Sequence, residues 1–249
     1  MRTIYGINPV REALRSSTAE KIKTLYIYRE RQDHTIKEIE EAATELGIDI
    51  RRVDKAQLGS VAGTSHHQGV VALVRGEFPY REPEDIVDIW QRSGERAFIL
   101  LLDSVEDPVN LGSIVRSAHC AGVQGIIIPR RRAAGVTPTV VKSSAGATEH
   151  TPIALTTNLT RTARRLKERG IWIVGIEADT ETSIYDVDLT MDIALVVGGE
   201  AKGIRRVLRS ECDILCHIPM RGKLNSLNAA QASTVALFET LRQRTVKKE

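Results

Sequence analysis

A chain of 249 residues that is 42% hydrophobic and 27% charged, with a formal net charge of +3, has the proportions of a soluble globular protein of one large or two ordinary domains. Its three cysteines, Cys120, Cys212 and Cys216, make no CxxC pair and no disulfide framework, and there is no HExxH. Buried thiols in a reducing cytoplasm are therefore expected, rather than a metal site. No apolar run reaches membrane-spanning length and the first residues carry no apolar leader core, which argues for a cytoplasmic protein and against a membrane one.

Asn8 followed by Pro9 predicts a helix start, with the helix running to about Leu14. Residues 25–28 predict a short strand. Thr35 with Glu38 reads as a capping box for a helix that ends near Leu46, with Gly47 as its stop. Strands are expected at 48–53 and 69–74, and His66 and His67 before the second read either as turn residues or as candidate binding residues. Composition changes between Gly76 and Arg96, where FPYREP carries two prolines and charges ahead of a short amphipathic helix around Ile86, Ile89 and Trp90. This divides the chain into residues 1–76, a linker at 77–94, and a second domain at 95–249.

Beyond the linker, residues 97–102, 125–128, 171–176, 193–197 and 214–218 are short apolar runs separated by helical patterns. Strands apolar on both faces belong to parallel sheets covered by helices, so an α/β domain is expected. Its helices fall at 111–121, 137–144, 159–169 and 203–209, with a last one at 227–244. Basic residues cluster at Arg130, Arg131 and Arg132, along Arg161–Arg169, and at Arg205, Arg206 and Arg209. Each cluster can track a phosphate backbone or simply form a solvated helix face.

None of the 18 glycines is followed by another two residues later, which removes the dinucleotide fingerprint, and there is no GxxxxGK[ST] phosphate loop. Polar residues collect instead after three strands. Asp103 to Gly112 includes Asn110, which reads as a helix cap, and leads to Arg116, which taken alone reads as a surface ion-pair residue. Gly198 to Gly203 is a tight glycine turn around Glu200. Pro219 to Asn228 places Ser226 and Asn228 at the start of the final helix, where either can cap it.

In order and spacing, DPVNLGSIVRSA (107–118), LVVGGEAKGI (195–204) and IPMRGKLNSLNAAQA (218–232) resemble the motifs of the SpoU–TrmH family of RNA 2′-O-methyltransferases, of the knotted SPOUT class. That resemblance covers about residues 95–245. YGINPVREAL at the start and GTSHHQGVVA (63–72) resemble the L30e-like RNA-binding domain that precedes the catalytic part in some members. The resemblance implies a deep trefoil knot in the second domain, S-adenosyl-L-methionine as cofactor, and a homodimer. It also implies methylation of the ribose 2′-hydroxyl of an RNA nucleotide, with the pairing of the two domains favouring a guanosine of 23S rRNA. Asn110, Arg116, Glu200, Ser226 and Asn228 fall on the family's catalytic positions, and Gly198, Ile218 and Leu227 on its cofactor-binding positions. Ala230 departs from the serine that relatives often carry. A tRNA substrate, a resistance-type rRNA adenosine substrate and a non-catalytic RNA-binding protein on the same fold are the competing readings.

Overall fold

The computed structural model describes residues 1–199, 203–223 and 226–246. Ten strands and nine α-helices are assigned among them. In chain order the first are β1 (Arg2–Tyr5), α1 (Ile7–Arg15), β2 (Ile22–Tyr28), α2 (His34–Glu45), β3 (Asp49–Val53), α3 (Lys55–Ala62) and β4 (Val70–Val74). Then come α4 (Pro83–Ser93), β5 (Phe98–Asp103), α5 (Pro108–Cys120), β6 (Gly125–Pro129), α6 (Pro138–Ser143), β7 (Ile153–Thr156) and α7 (Leu159–Lys167). The last are β8 (Trp172–Ile176), β9 (Ile193–Gly198), α8 (Arg206–Arg209), β10 (Ile214–Cys216) and α9 (Ala229–Thr245).

Two compact units result. The first combines Met1–Pro79 with Val136–His150. Its sheet has the order β1-β4-β2-β3, with β4 antiparallel to both neighbours and β2 parallel to β3. Strand β2 shows why both faces are covered. Leu25 and Ile27 enter one apolar cluster with α1 and α2, while Tyr26 and Tyr28 face a smaller one beneath α3, as a period of two requires. Residues 136–150 lie in the part of the chain that sequence assigns to the second domain, yet they pack here. Val141 of α6 joins the first cluster, and the nearly buried Glu149 carboxylate accepts from Arg2 Nη1 and Nη2 at 2.8 Å each and from Thr18 Oγ1 at 2.7 Å.

Helix starts differ from the expected caps. Gly6, at φ 98°, turns the chain into α1 with no side-chain cap, and Asn8 lies inside the first turn, accepting from Arg11. Asp33, not Thr35, stands at the N-cap of α2, where no side-chain cap bond forms. Gly47 takes the left-handed conformation after α2, at φ 66°. His67 is buried and its Nδ1 accepts the Gly69 N–H at 3.1 Å, so it is a turn residue. Burial, with the Lys55 charge behind it, holds its pKa below the usual imidazole value.

The second unit combines Tyr80–Gly135 with Thr151–Glu249. Its six strands are all parallel, in the order β10-β8-β9-β5-β6-β7. The central strand β5 is buried at every residue, as its unbroken apolar run predicts. One face is covered by α4, α7 and α8 through Ile86, Val87, Leu159, Leu166 and Leu208. The segment read as a linker is therefore in part a core helix, capped by Glu82 and Asp85. On the other side α5 and α9 pack together, joined by a hydrogen bond of 2.8 Å between Ser117 and Thr234.

Helix α9, about 25 Å long at 1.5 Å per residue, is fixed at its far end by Arg244. That guanidinium donates to the carbonyls of Met191 (2.7 Å), Ala97 (2.8 Å), Leu189 (3.1 Å) and Arg96 (3.2 Å) at the amino ends of β5 and β9, and it lies over the Phe98 ring. Burial pulls its pKa below the usual guanidinium value. Arg244→Met strands these carbonyls and is expected to lower unfolding stability by about 3 kcal/mol in urea titration. A change under about 0.5 kcal/mol, the range of ordinary surface substitutions, would show that the arginine does not anchor the helix.

Candidate active site

In open parallel sheets, ligands bind beyond the carboxyl ends of the strands. At that edge, β5 ends in Asp103, a fully buried carboxylate. It accepts from Arg205 N at 2.9 Å, Arg205 Nε at 2.7 Å and Ser104 Oγ at 3.2 Å. Its main-chain carbonyl accepts the Gly199 N–H at 2.8 Å, and Gly203 N–H closes back on the Gly199 carbonyl at 3.0 Å. The turn after β9 is thus fastened to the end of β5 by backbone and by charge. Glycine is required there: a Cβ on Gly198 would overlap the Gly203 backbone, and one on Gly199 would overlap the Ser104 carbonyl.

Beside this turn lies a cleft of about 550 Å³, in the size range of small-molecule sites. Its walls come from the ends of β8 and β9, from Ile218 and Met220 beyond β10, and from the start of α9. Gly198, Ile218, Ser226, Leu227 and Asn228, all nominated from sequence, line it together. Ile218 does so because β10 stops at Cys216, two residues before the end expected. Asn228 caps α9 as read: its Oδ1 accepts from Gln231 N at 2.8 Å, and Gln231 closes a reciprocal capping box.

Two of the other nominated residues, Asn110 and Arg116, do not line the cleft. Asn110 is half-buried in the first turn of α5. It is not the cap of that helix; the Asp107 side chain is, accepting from Val109 N at 3.0 Å. Arg116, further along α5, is exposed and makes no hydrogen bond or ion pair with a described residue. Glu200 lies outside the described residues.

Sequence reasoning nominated neither Asp103 nor Glu177 for the site, and it read Arg205 only as part of a basic cluster. Asp103 carries a signal, a lone carboxylate ending the run FILLL, but its partner is 102 residues away. Glu177 lines the cleft and is ion-paired with Arg209 of α8. The cysteines take no part in the cleft. Burial pushes the thiols of Cys212 and Cys216 up to about 12, so both are protonated at neutral pH. Cys120 differs from the expectation of buried thiols and is exposed at the end of α5.

The lining has a chemical bias. Among the described residues it holds two carboxylates, Glu177 and Asp179, with apolar walls at Val197, Ile218 and Leu227, and no lysine or arginine. Asp179 and the Arg209-paired Glu177 beside these apolar walls suit a cationic ligand with an aromatic or aliphatic body. S-adenosyl-L-methionine, a nucleoside carrying a sulfonium and no phosphate, fits that donor set.

A parallel α/β domain with a cation-accepting cleft beside a glycine turn is a cofactor-binding domain, here following a separate mixed-sheet unit. Residues 97–238 match the SpoU rRNA Methylase family, and residues 3–80 match the RNA 2′-O ribose methyltransferase substrate-binding family. The 23S rRNA (guanosine-2′-O-)-methyltransferase RlmB of Xylella fastidiosa is 41% identical over 243 residues, 98% of this chain and 97% of its own. The enzyme of the same name from Xanthomonas axonopodis pv. citri is 41% identical over 97% of this chain and 96% of its own. The SpoU methyltransferase AviRb of Streptomyces viridochromogenes, crystallised with AdoMet, superposes with a TM-score of 0.80 at 27% identity, covering 97% of this chain and 90% of that one. The chain belongs to the SpoU rRNA methylase family.

Gly198→Ala forces the turn away from its backbone neighbour and is expected to weaken S-adenosylmethionine binding by at least about tenfold, roughly 1.4 kcal/mol, in calorimetric titration of a folded variant. Binding at the parent affinity would remove the turn from the cofactor site.

Proposed function

We propose that the chain transfers the methyl group of S-adenosyl-L-methionine to the ribose 2′-hydroxyl of a guanosine in 23S rRNA. The observation that carries this reading is the cleft that brings Gly198, Ile218, Ser226, Leu227 and Asn228 together. Full-length similarity to methyltransferases acting on 23S rRNA guanosine supports the substrate. When bound, the cofactor supplies an electrophilic methyl group.

The chain's own residues must align a ribose hydroxyl with that methyl and help it lose its proton. Arg116 holds the developing alkoxide and the neighbouring phosphate by charge; a guanidinium acts as donor and not as base. Its exposure, with no ion-pair partner among the described residues, suits a group waiting for an anion. Asn228 spends its Oδ1 on the α9 cap, which leaves its Nδ2 donors for ribose or cofactor. Ser226 and Asn110 share the positioning, and Glu200 orients Arg116 or the glycine turn.

The last strand and helix thread a loop as a deep trefoil knot, and the first unit grips RNA by shape and backbone, aromatics being only 4% of the chain. A cytoplasmic homodimer completes the reading, supported by the exposed apolar side chains Val109 on α5 and Phe238 on α9.

Transfer of labelled methyl from the cofactor to 23S, 16S and tRNA transcripts, with mapping of the modified nucleotide, tests the activity. Label confined to a 23S guanosine is expected; label on tRNA alone would overturn the substrate. Arg116→Ala is expected to cut turnover by about 10²–10³ while leaving cofactor affinity nearly intact. Turnover near the parent rate would reject its role.

A further inference from the structure

A second cleft of about 580 Å³ opens on the carboxyl edge of the same sheet, beyond β6 and β7. Its walls include Arg130, Arg131 and Arg132, the loop residues Thr157 and Asn158, and Arg205. From this juxtaposition we infer that the cleft seats the RNA phosphates beside the methylated nucleotide. The inference rests on the proposed methyl transfer to RNA and names where the substrate backbone lies.

Charge sets this cluster apart from most of the α7 cluster. On α7, Arg164, Arg165 and Lys167 have carboxylate partners at 2.6, 2.6 and 2.7 Å, while Arg161 has no ion pair with a described residue. Arg131 and Arg132 are exposed and have no hydrogen bond or ion pair with a described residue. Among the described residues the Arg130 side chain pairs with Glu82 alone, at 3.1 Å, and the two ends are 47% and 65% exposed. Exposed pairs of that kind are weak and readily exchanged for a stronger anion. Of the four guanidinium groups that line the cleft, Arg205 is balanced by Asp103 and Arg130 by an exposed pair, while Arg131 and Arg132 have no carboxylate partner among the described residues, which leaves the cleft with a net positive charge for a polyanion.

The cleft is also held in shape. Arg130 N–H donates to the Thr156 carbonyl at 2.8 Å, and Ala134 N–H to the Val105 carbonyl at 2.8 Å, which pins the arginine turn at both ends. Within it Arg132 adopts a left-handed backbone at φ 59°, uncommon for a residue with a long side chain. Arg205 is aimed by the Asp103 carboxylate through Nε, which leaves its terminal nitrogens toward the cleft side of a side chain that is 41% exposed.

Asp103 links the two clefts. Its side chain holds Arg205 in the basic cleft, and its carbonyl holds Gly199 in the cofactor cleft. The strands that end in them, β9 and β6, are separated only by β5, or about 10 Å at the usual strand spacing. A cation-accepting cleft beside an anion-accepting one matches a cationic cofactor meeting an anionic polymer at one sugar.

The test measures binding of a 23S rRNA fragment to the full chain across a salt series, for the parent, R131Q/R132Q and R131K/R132K. Losing two single-strand phosphate contacts should flatten the slope of log affinity against log salt by about 1.4. RNA affinity should fall about tenfold or more at low salt, with S-adenosylmethionine affinity unchanged. The lysine variant should restore most of the slope, since phosphate accepts a point charge. An unaltered slope in R131Q/R132Q overturns the inference, as does a parallel loss of cofactor binding, which would make the arginines structural. Methyl transfer by the parent is scored separately. An inactive parent with an arginine-dependent slope sinks the enzymatic reading but supports the cleft. An active parent with an arginine-independent slope sinks the cleft alone.

Discussion

The carboxylate of Asp103 is the hinge on which the catalytic unit's ligand-binding edge depends. It sits at the end of a strand buried along its whole length, and three of its oxygen contacts reach into a segment 102 residues further on or into the next residue. A buried charge without a partner is expensive, so the strand end and the β9–α8 turn are not free to separate. Arg205 is partly exposed, so the pair contributes roughly 2–3 kcal/mol, less than a fully buried one. What matters more is geometry. The same attachment closes the glycine turn, and with it one wall of the cofactor cleft.

Around that attachment the sheet sorts charge along its edge. Beyond β8, β9 and β10 the described lining is apolar with two carboxylates; beyond β6 and β7 it is rich in guanidinium. Sequence order alternates between these regions, because parallel strands need crossover connections and the sheet order is not the chain order. Charges scattered through the sequence thus become two contiguous fields. Helix α9 contributes by being tied at both ends: its amino end caps into the cofactor cleft and its carboxyl end is bound by Arg244 at the opposite edge of the sheet.

Strands β5, β6, β8 and β9 were legible because burial on both faces leaves an unbroken apolar run, a signal that needs no partner to be read. Strands β1 and β7 and helix α3 were not: each is four to eight residues long, with mixed composition, and is held by neighbours far away in sequence. Caps at Asn8, Thr35 and Asn110 misled for one reason. A capping side chain acts only where the backbone turns, and the turns fall at Gly6, Asp33 and Asp107. Residues 136–150 carry no boundary signal in composition; contacts such as those of Val141, Glu149 and His150 assign them to the first unit. At the site, the residues that line the cleft beside the glycine turn stand in readable motifs, while the pairing of Asp103 with Arg205 does not, because an ion pair spanning a hundred residues leaves no local pattern.

The dependence on Asp103 is open to one direct measurement: calorimetric titration of S-adenosylmethionine into Asp103→Asn beside the parent, with circular dichroism on both. The amide keeps the size and removes the charge that holds Arg205. An affinity at least about tenfold weaker in a variant with the parent's secondary structure is the expected result. Parent-like affinity would mean that the glycine turn keeps its shape without the buried carboxylate, and the coupling of the two clefts through Asp103 would have to be given up.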